Sequence, residues 1–157
     1  MGGKKILISG AGGYLGSNLC YLFSKLNYDL VCLEINKNRL KILKKKLKNF
    51  KNEKYYLSVD ITNEKKLISL HNEFKRKKIY IDVIINNAAN NPSVKKTKKI
   101  KLMETQNWKS DLDVGLMGAY VVTKTFSRNM RKNNGGSIIN IGSDLSILSP
   151  NHEIYKT

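Results

Sequence analysis

The segment Ser9-Gly10-Ala11-Gly12-Gly13-Tyr14-Leu15-Gly16 lies between two patterns of opposite kind. Before it, Lys4–Ser9 is a short run of β-type apolar residues. After it, Gly13–Asn27 carries Leu15, Leu19, Leu22, Phe23 and Leu26 at helical spacing. A strand that turns so quickly into a helix needs backbone free of Cβ clashes, and Gly10, Gly13 and Gly16 provide it as G-x-x-G-x-x-G. The first amides of such a helix have no intrahelical partner, and the positive end of the helix dipole lies behind them. Bare main chain can then approach an anion, and a pyrophosphate is expected here. Gly16 is expected to let the helix pack closely on the strand. The plain alternative is a glycine-rich turn without a ligand. A Walker-type loop is excluded, because no Lys-Ser/Thr pair follows the last glycine.

The pattern then keeps alternating. Asp29–Glu34 is a second strand, and Asn36 can cap a helix whose apolar stripe is Leu40, Leu43, Leu47 and Phe50. Lys54–Val59 is a third strand. Thr62 or Asn63 opens a third helix, with Leu67, Leu70 and Phe74 on one face. Asp82–Asn86 is a fourth strand, almost wholly apolar, as a strand covered on both faces must be. A basic, polar loop is expected from Asn87 to about Met103. A longer helix, broken or bent near Gly115 and Gly118, is expected to run to about Lys132. After a turn at Asn133–Gly136, Ser137–Gly142 is a fifth strand. Strands joined by helical crossovers predict an α/β fold, a doubly wound parallel sheet with helices on both faces. Strand order 3-2-1 with strand 4 on the other side of strand 1 opens a crevice at the carboxyl ends of strands 1 and 4.

The remaining polar motifs fall at those strand ends. Glu34 closes strand 2 and can accept from both ribose hydroxyls of an adenosine while repelling a 2′-phosphate, which favours NAD over NADP. Lys37 and Arg39, just beyond, could instead receive such a phosphate. Asp60 can accept from the adenine amino group while Ile61 packs on the ring; alternatively Asp60 starts a turn or caps the next helix. In Asn86-Asn87-Ala88-Ala89, the small alanines leave room for a cofactor and the Asn86 amide can bridge strand ends. Ser143, in Asn140-Ile141-Gly142-Ser143, presents a hydroxyl towards the nicotinamide side of the crevice, where it could hydrogen-bond a substrate oxygen.

Composition narrows the field without redirecting it. The 157 residues carry a formal charge of +17, so a nucleic-acid or acidic-membrane partner has to be weighed. The excess is nearly all lysine, with Arg39, Arg76, Arg128 and Arg131 the only arginines, and Lys, Asn and Ile rise together as in an AT-rich genome. Arginine is the residue that forks onto phosphates and guanine edges, so only weak, non-specific retention on DNA is expected. Cys20 and Cys32 fit small core residues in a reducing compartment rather than a zinc or disulfide pattern. His71 and His152 lack partners at metal spacing, so no metal is assigned. Trp108 and Tyr120 are expected in the core or at an interface. With no apolar leader and no run near the ~20 residues that span a bilayer, a cytoplasmic, non-membrane protein is the expectation.

Taken as a set, SGAGGYLG, Glu34, Asp60-Ile61, NNAA and NIGS resemble the short-chain dehydrogenase/reductase family over the whole chain. The resemblance implies a Rossmann sheet truncated after strand 5, residues 1–157 forming one NAD(P)-binding domain that is incomplete at its C-terminus. It implies hydride transfer between nicotinamide and a carbonyl or alcohol, and a homo-oligomer at full length. The implied cofactor contacts are Gly10, Gly13, Tyr14, Leu15, Gly16, Glu34, Asp60, Ile61, Asn87, Ala88 and Ala89, with Ser143 as a catalytic residue. In that family a serine works with the tyrosine and lysine of a Y-x-x-x-K motif, the tyrosine as general acid/base. Here Tyr155 has Lys156 beside it, and a lysine one turn later would be residue 159; either Tyr155 is that tyrosine or a later one is, with the Tyr/Lys pair expected beyond residue 157 and the 157 residues alone expected to be inactive. The segment Ser143–His152 resembles a branch with a longer loop before that motif, which includes reductases of surface-sugar and flagellin-glycan synthesis. Where the family often has an asparagine, this chain has Gly115. Strand 5 is expected to be an exposed edge. A non-catalytic nucleotide-binding module or pseudoenzyme, and a basic nucleic-acid-binding protein, are the alternative readings.

Overall fold

The computed structural model describes residues 3–90, 104–132 and 135–143. Five strands, β1 (Lys5–Ser9), β2 (Asp29–Glu34), β3 (Lys54–Ser58), β4 (Val83–Asn86) and β5 (Ser137–Asn140), form one sheet in the order β3-β2-β1-β4-β5. Every neighbouring pair is parallel. The expected α/β doubly wound architecture is therefore present, with its switch point between β1 and β4.

The period-2 alternation of the strands explains why helices are needed on both faces. Leu7, Val31, Leu33 and Ile84 point into one core with Leu67 and Phe74 of α3 (Glu64–Arg76) and Val121, Val122 and Phe126 of α5 (Ala119–Lys132). Ile6, Ile8, Leu30, Cys32 and Ile85 point into the other, against Cys20 of α1 (Tyr14–Lys25) and Leu40 and Leu43 of α2 (Lys37–Lys46). Each fully buried aliphatic side chain contributes about 1.5–3 kcal/mol of transfer free energy. Cys20 and Cys32 meet across the second core with their sulfurs 3.8 Å apart, both free thiols. Contact with Cys20, and burial, push the Cys32 thiol well above its ordinary value.

The starts of α2 and α3 follow capping side chains. The Asn36 side chain accepts from the amides of Asn38 and Arg39, and that of Asn63 from Lys66. Of the two residues expected to open the third helix, Asn63 is the cap, and Thr62 belongs to the preceding turn. The helix expected to bend near Gly115 and Gly118 is α4 (Thr105–Leu112), then a π-helical segment over Asp113–Gly118, then α5. Gly118 lies so near the turn after β3 that an added Cβ would sit 2.5 Å from Ile61 Cδ1. Strand boundaries shift by a residue or two. Asp82 stands just outside β4, its carboxylate accepting from the Lys5 amide at 2.7 Å. β5 ends at Asn140, short of the expected Gly142.

Some side chains settle differently from their sequence context. His71, expected among polar residues, meets the Phe126 ring edge-on at 5.6 Å. Burial, then the charges of Lys75 and Arg128, hold its pKa below the usual histidine value. Trp108 and Tyr120 are exposed, so they are not core residues. Ile138 and Ile139 of β5 and Ile141 beyond it are exposed as expected of an edge. Among the described residues no helix is long and apolar enough to cross a membrane. The expected basic loop beyond Asn90, the turn at Asn133–Asn134, and Pro150, His152, Tyr155 and Lys156 lie outside the described residues.

The amino ends of the strands are joined by one ionic network. Lys5 Nζ donates to Asp29 Oδ2 at 2.8 Å and to Glu53 Oε2 at 2.7 Å, and the Glu53 amide donates to Asp29 Oδ1 at 2.8 Å. Burial works against the Lys5 ammonium, but the bonds to Asp29 and Glu53 outweigh it and raise its pKa. Lys5 and the Tyr55 hydroxyl, both donating to Glu53, hold that carboxyl below its ordinary value. Glu53 therefore contributes stability above the usual glutamate pKa, lost as pH falls through the lowered one; Lys5 contributes below the usual lysine pKa, lost as pH rises through the raised one. Asp29→Ala is expected to cost about 1–3 kcal/mol in urea unfolding near neutral pH, because it removes one of the two carboxylates on the Lys5 ammonium and leaves the Glu53 amide without its acceptor. It should also make the alkaline loss of stability shallower. A variant as stable as the parent would refute the network's role.

Candidate functional site

The carboxyl ends of β1, β2 and β4 open into a cavity of about 760 Å³, within the range of ordinary ligand sites. All eleven expected cofactor-contact residues line it: Gly10, Gly13, Tyr14, Leu15, Gly16, Glu34, Asp60, Ile61, Asn87, Ala88 and Ala89. Gly12, Leu33, Ile35, Val59, Asn90 and Val114 line it too, and sequence reasoning assigned none of these as contacts; Arg39, the possible receiver of a 2′-phosphate, also lines it. Gly12 had a visible signal, being a fourth glycine inside the motif. Val114 had none, since the π-helical geometry that places it could not be foreseen.

The turn after β1 is built by close approach. Gly10 has φ +63°, and a Cβ on it would lie 2.8 Å from Ala88 Cα. A Cβ on Gly16 would lie 2.2 Å from the Gly10 carbonyl oxygen. Gly13 is looser: its added Cβ would meet only the Gly10 oxygen, at 3.3 Å. Gly12 is tighter than the pattern suggested, with Arg39 Cβ at 2.7 Å and Glu34 Oε2 at 2.9 Å from its added Cβ. Gly13 is the N-cap of α1, no side chain caps that helix, and no acidic residue occupies its first turn. An anion can take the place of a cap there. The glycine cradle, which a Cβ would fill, and this uncapped helix start fit a dinucleotide's phosphates.

The strand ends are riveted together by side chains. Ser9 Oγ accepts from the amides of Asn87 and Ala88 at 3.0 and 3.1 Å. The Asn87 side chain donates to the carbonyls of Ser9 and Gly10 at 3.0 and 3.2 Å. Asn86 does bridge strand ends, its amide donating to Asn140 Oδ1 at 2.8 Å and to Thr123 Oγ1 at 2.9 Å. Asn87 and Ala88 thus shape the turn as well as lining the cavity. Asp60 starts a turn and does not cap α3: its Oδ1 accepts from the amide and hydroxyl of Thr62 at 2.9 and 2.8 Å, and the residue also lines the cavity. Ile61 is buried in the core beside Val114 and reaches the cavity wall from there. Glu34 is buried, and its oxygens accept from the main-chain amides of Gly12 and Asn36, each at 2.9 Å. Ser143 is exposed three residues past β5 and is not among the residues lining this cavity. Among the described residues no three His, Cys, Asp or Glu side chains converge on a possible metal site.

Comparison with known proteins gives concordant results. A family model described as short chain dehydrogenase matches residues 4–155. The chain is 30% identical over 156 residues to post-translational flagellin modification protein A of Campylobacter coli, covering 98% of this chain and 60% of that protein. It is 32% identical over 142 residues to a 3-oxoacyl-acyl-carrier-protein reductase of Buchnera aphidicola, covering 89% and 55%. The fold superposes on an NAD+-bound xylitol dehydrogenase with a TM-score of 0.83 at 23% identity, over 99% of this chain and 58% of that one. The chain thus spans little more than half the length of these proteins.

The four motif glycines should not be equivalent. Gly10→Ala, Gly12→Ala and Gly16→Ala are each expected to lower stability by about 1–3 kcal/mol through overpacking, with Gly13→Ala costing least. Thermal or urea unfolding without any ligand checks the order. A Gly13→Ala variant as damaged as Gly16→Ala would contradict the steric account.

Proposed function

The chain belongs to the short-chain dehydrogenase/reductase family, and from that premise we propose that it is the dinucleotide-binding part of an NAD(P)-dependent oxidoreductase acting on a carbonyl or alcohol. The observation that carries this reading is the convergence of all eleven expected contact residues on one cavity at the topological switch point. Bound there, NAD(P) supplies the hydride acceptor or donor. Gly10, Gly13 and Gly16, with the first-turn amides of α1, would hold the pyrophosphate. Ala88 and Ala89 leave the main chain after β4 open to the cofactor.

NAD is the proposed cofactor, with NADP the less favoured. Each carboxylate oxygen has two lone pairs, so Glu34 can hold its two main-chain amides and still accept from ribose hydroxyls. Arg39 is the residue on the cavity wall that would receive a 2′-phosphate instead. Ser143 is proposed to hydrogen-bond the substrate oxygen, alongside a tyrosine and lysine of the full-length protein. A sugar or surface-polysaccharide precursor is the proposed substrate. It is supported by the likeness to the Campylobacter coli flagellin modification protein and by the loop beginning at Ser143.

A homo-oligomer is proposed for the full-length protein. Trp108, Leu112, Leu116 and Tyr120 recur every four residues along α4, the π segment and α5, and all four are exposed. Apolar side chains in so regular a row favour burial against another surface. The row places an aromatic at each end and a leucine pair between, so two copies crossing antiparallel would match like with like.

The deciding experiment is titration of the full-length protein with NADH and NADPH, followed by cofactor oxidation with a keto-sugar or a 3-oxoacyl thioester. NADH is expected to bind about tenfold or more tighter, from charge repulsion of a 2′-phosphate by Glu34, and the keto-sugar to be the better substrate. Equal or tighter NADPH binding would refute the selectivity given to Glu34. No binding of either would refute the dinucleotide site.

A further inference from the structure

Glu34 is only 4% exposed, and its carboxylate does not lie free in the cavity. One oxygen accepts from the amide of Gly12, in the turn between β1 and α1. The other accepts from the amide of Asn36, in the turn between β2 and α2. Neither amide belongs to a helix or a strand, so neither has a regular main-chain partner. A single side chain thus satisfies two turn amides from different parts of the chain, 24 positions apart in sequence (Gly12 to Asn36).

Steric contact reinforces the tie. A Cβ on Gly12 would stand 2.7 Å from Arg39 Cβ, so the first turn of α2 lies directly against the glycine turn. Asn36 is also the cap of α2, its side chain accepting from Asn38 and Arg39. The Glu34 carboxylate therefore sits at the junction of the glycine turn and the start of α2. Both border the cavity, through Gly12, Gly13, Ile35 and Arg39.

We propose that Glu34 is a positioning residue that fixes the glycine turn against the α2 corner, so that it governs the binding of any dinucleotide and not only the choice at the 2′ position. This inference rests on the dinucleotide reading of the cavity. The two roles differ in outcome. If Glu34 only repels a 2′-phosphate, Glu34→Gln relieves the repulsion and tightens NADPH. If it also positions the turn, the glutamine –NH₂ replaces one acceptor and faces an N–H, one turn amide loses its partner, NADH binds more weakly, and the gain expected for NADPH is cancelled. Gly12→Ala offers an independent route to the same contact, because its Cβ would press on Glu34 Oε2 at 2.9 Å while leaving the carboxylate chemically intact.

The test uses the full-length protein, with amide hydrogen exchange in the absence of cofactor and direct titration with NADH and NADPH. In the parent protein, Gly12 and Asn36 should be protected although they lie in turns. In Glu34→Gln, exchange at these amides should rise about tenfold or more while Ile6, Leu7 and Ile8 of β1 stay protected; NADH affinity should fall about tenfold, and NADPH affinity should not rise, because the loosened turn offsets the relieved repulsion of its 2′-phosphate. In Gly12→Ala, protection at Asn36 should fall although Asn36 is unchanged. Fast exchange at Gly12 and Asn36 in the parent overturns the proposal, and needs no variant to fold. Unaltered protection in Glu34→Gln, or tighter NADPH binding by it, overturns it as well. If the parent binds neither cofactor, the dinucleotide reading fails while the exchange data still decide whether Glu34 ties the two turns.

Discussion

The site depends on how closely the ends of two neighbouring strands approach. Where β1 leaves the sheet, the chain turns back through Gly10 in a left-handed conformation and passes Ala88 at a distance that admits no Cβ. Ser9 and Asn87 fasten the same place from both sides, the hydroxyl accepting from one strand end and the amide donating to the other. A wider gap would leave these four hydrogen-bonding groups in a partly buried setting without partners. The start of α1, and with it the anion-binding amides, is therefore located by strand-end chemistry rather than by the helix itself.

That contact is possible only because β1 and β4 are neighbours, and they are neighbours because the chain changes direction of winding between them. Two cores divide the labour. The one beneath α1 and α2 holds the glycine turn from one face. The other, beneath α3 and α5, brings Ile61 and Val114 to the cavity wall from the opposite face. The π-helical segment belongs to this arrangement. Gly118 lets the helix settle onto Ile61, and the altered winding over Asp113–Gly118 carries Val114 to the cavity.

The strand order, the helix cap at Asn36 and the convergence of the glycine, strand-end and alanine motifs on one cavity were legible in the sequence, because each rests on local chemistry: period-2 apolar runs, Asx caps, and glycine where Cβ cannot fit. What escaped it depends on distant partners. Gly12 looks like a spacer until Arg39 is seen pressing on it. Glu34 reads as a ligand carboxylate, yet two main-chain amides already occupy it. His71 sits among polar neighbours in sequence and on a phenylalanine ring in space.

The paired thiols have a practical corollary. Cys20 and Cys32 are the chain's only cysteines, both are wholly enclosed, and contact with Cys20 and burial push the Cys32 thiol above its ordinary value. Since α1 and β2 interlock exactly where these sulfurs meet, an alkylating reagent can reach them only when that helix lifts off the sheet. Their rate of modification is thus a clock for the opening of the layer that supports the glycine turn, readable by mass without any engineered label.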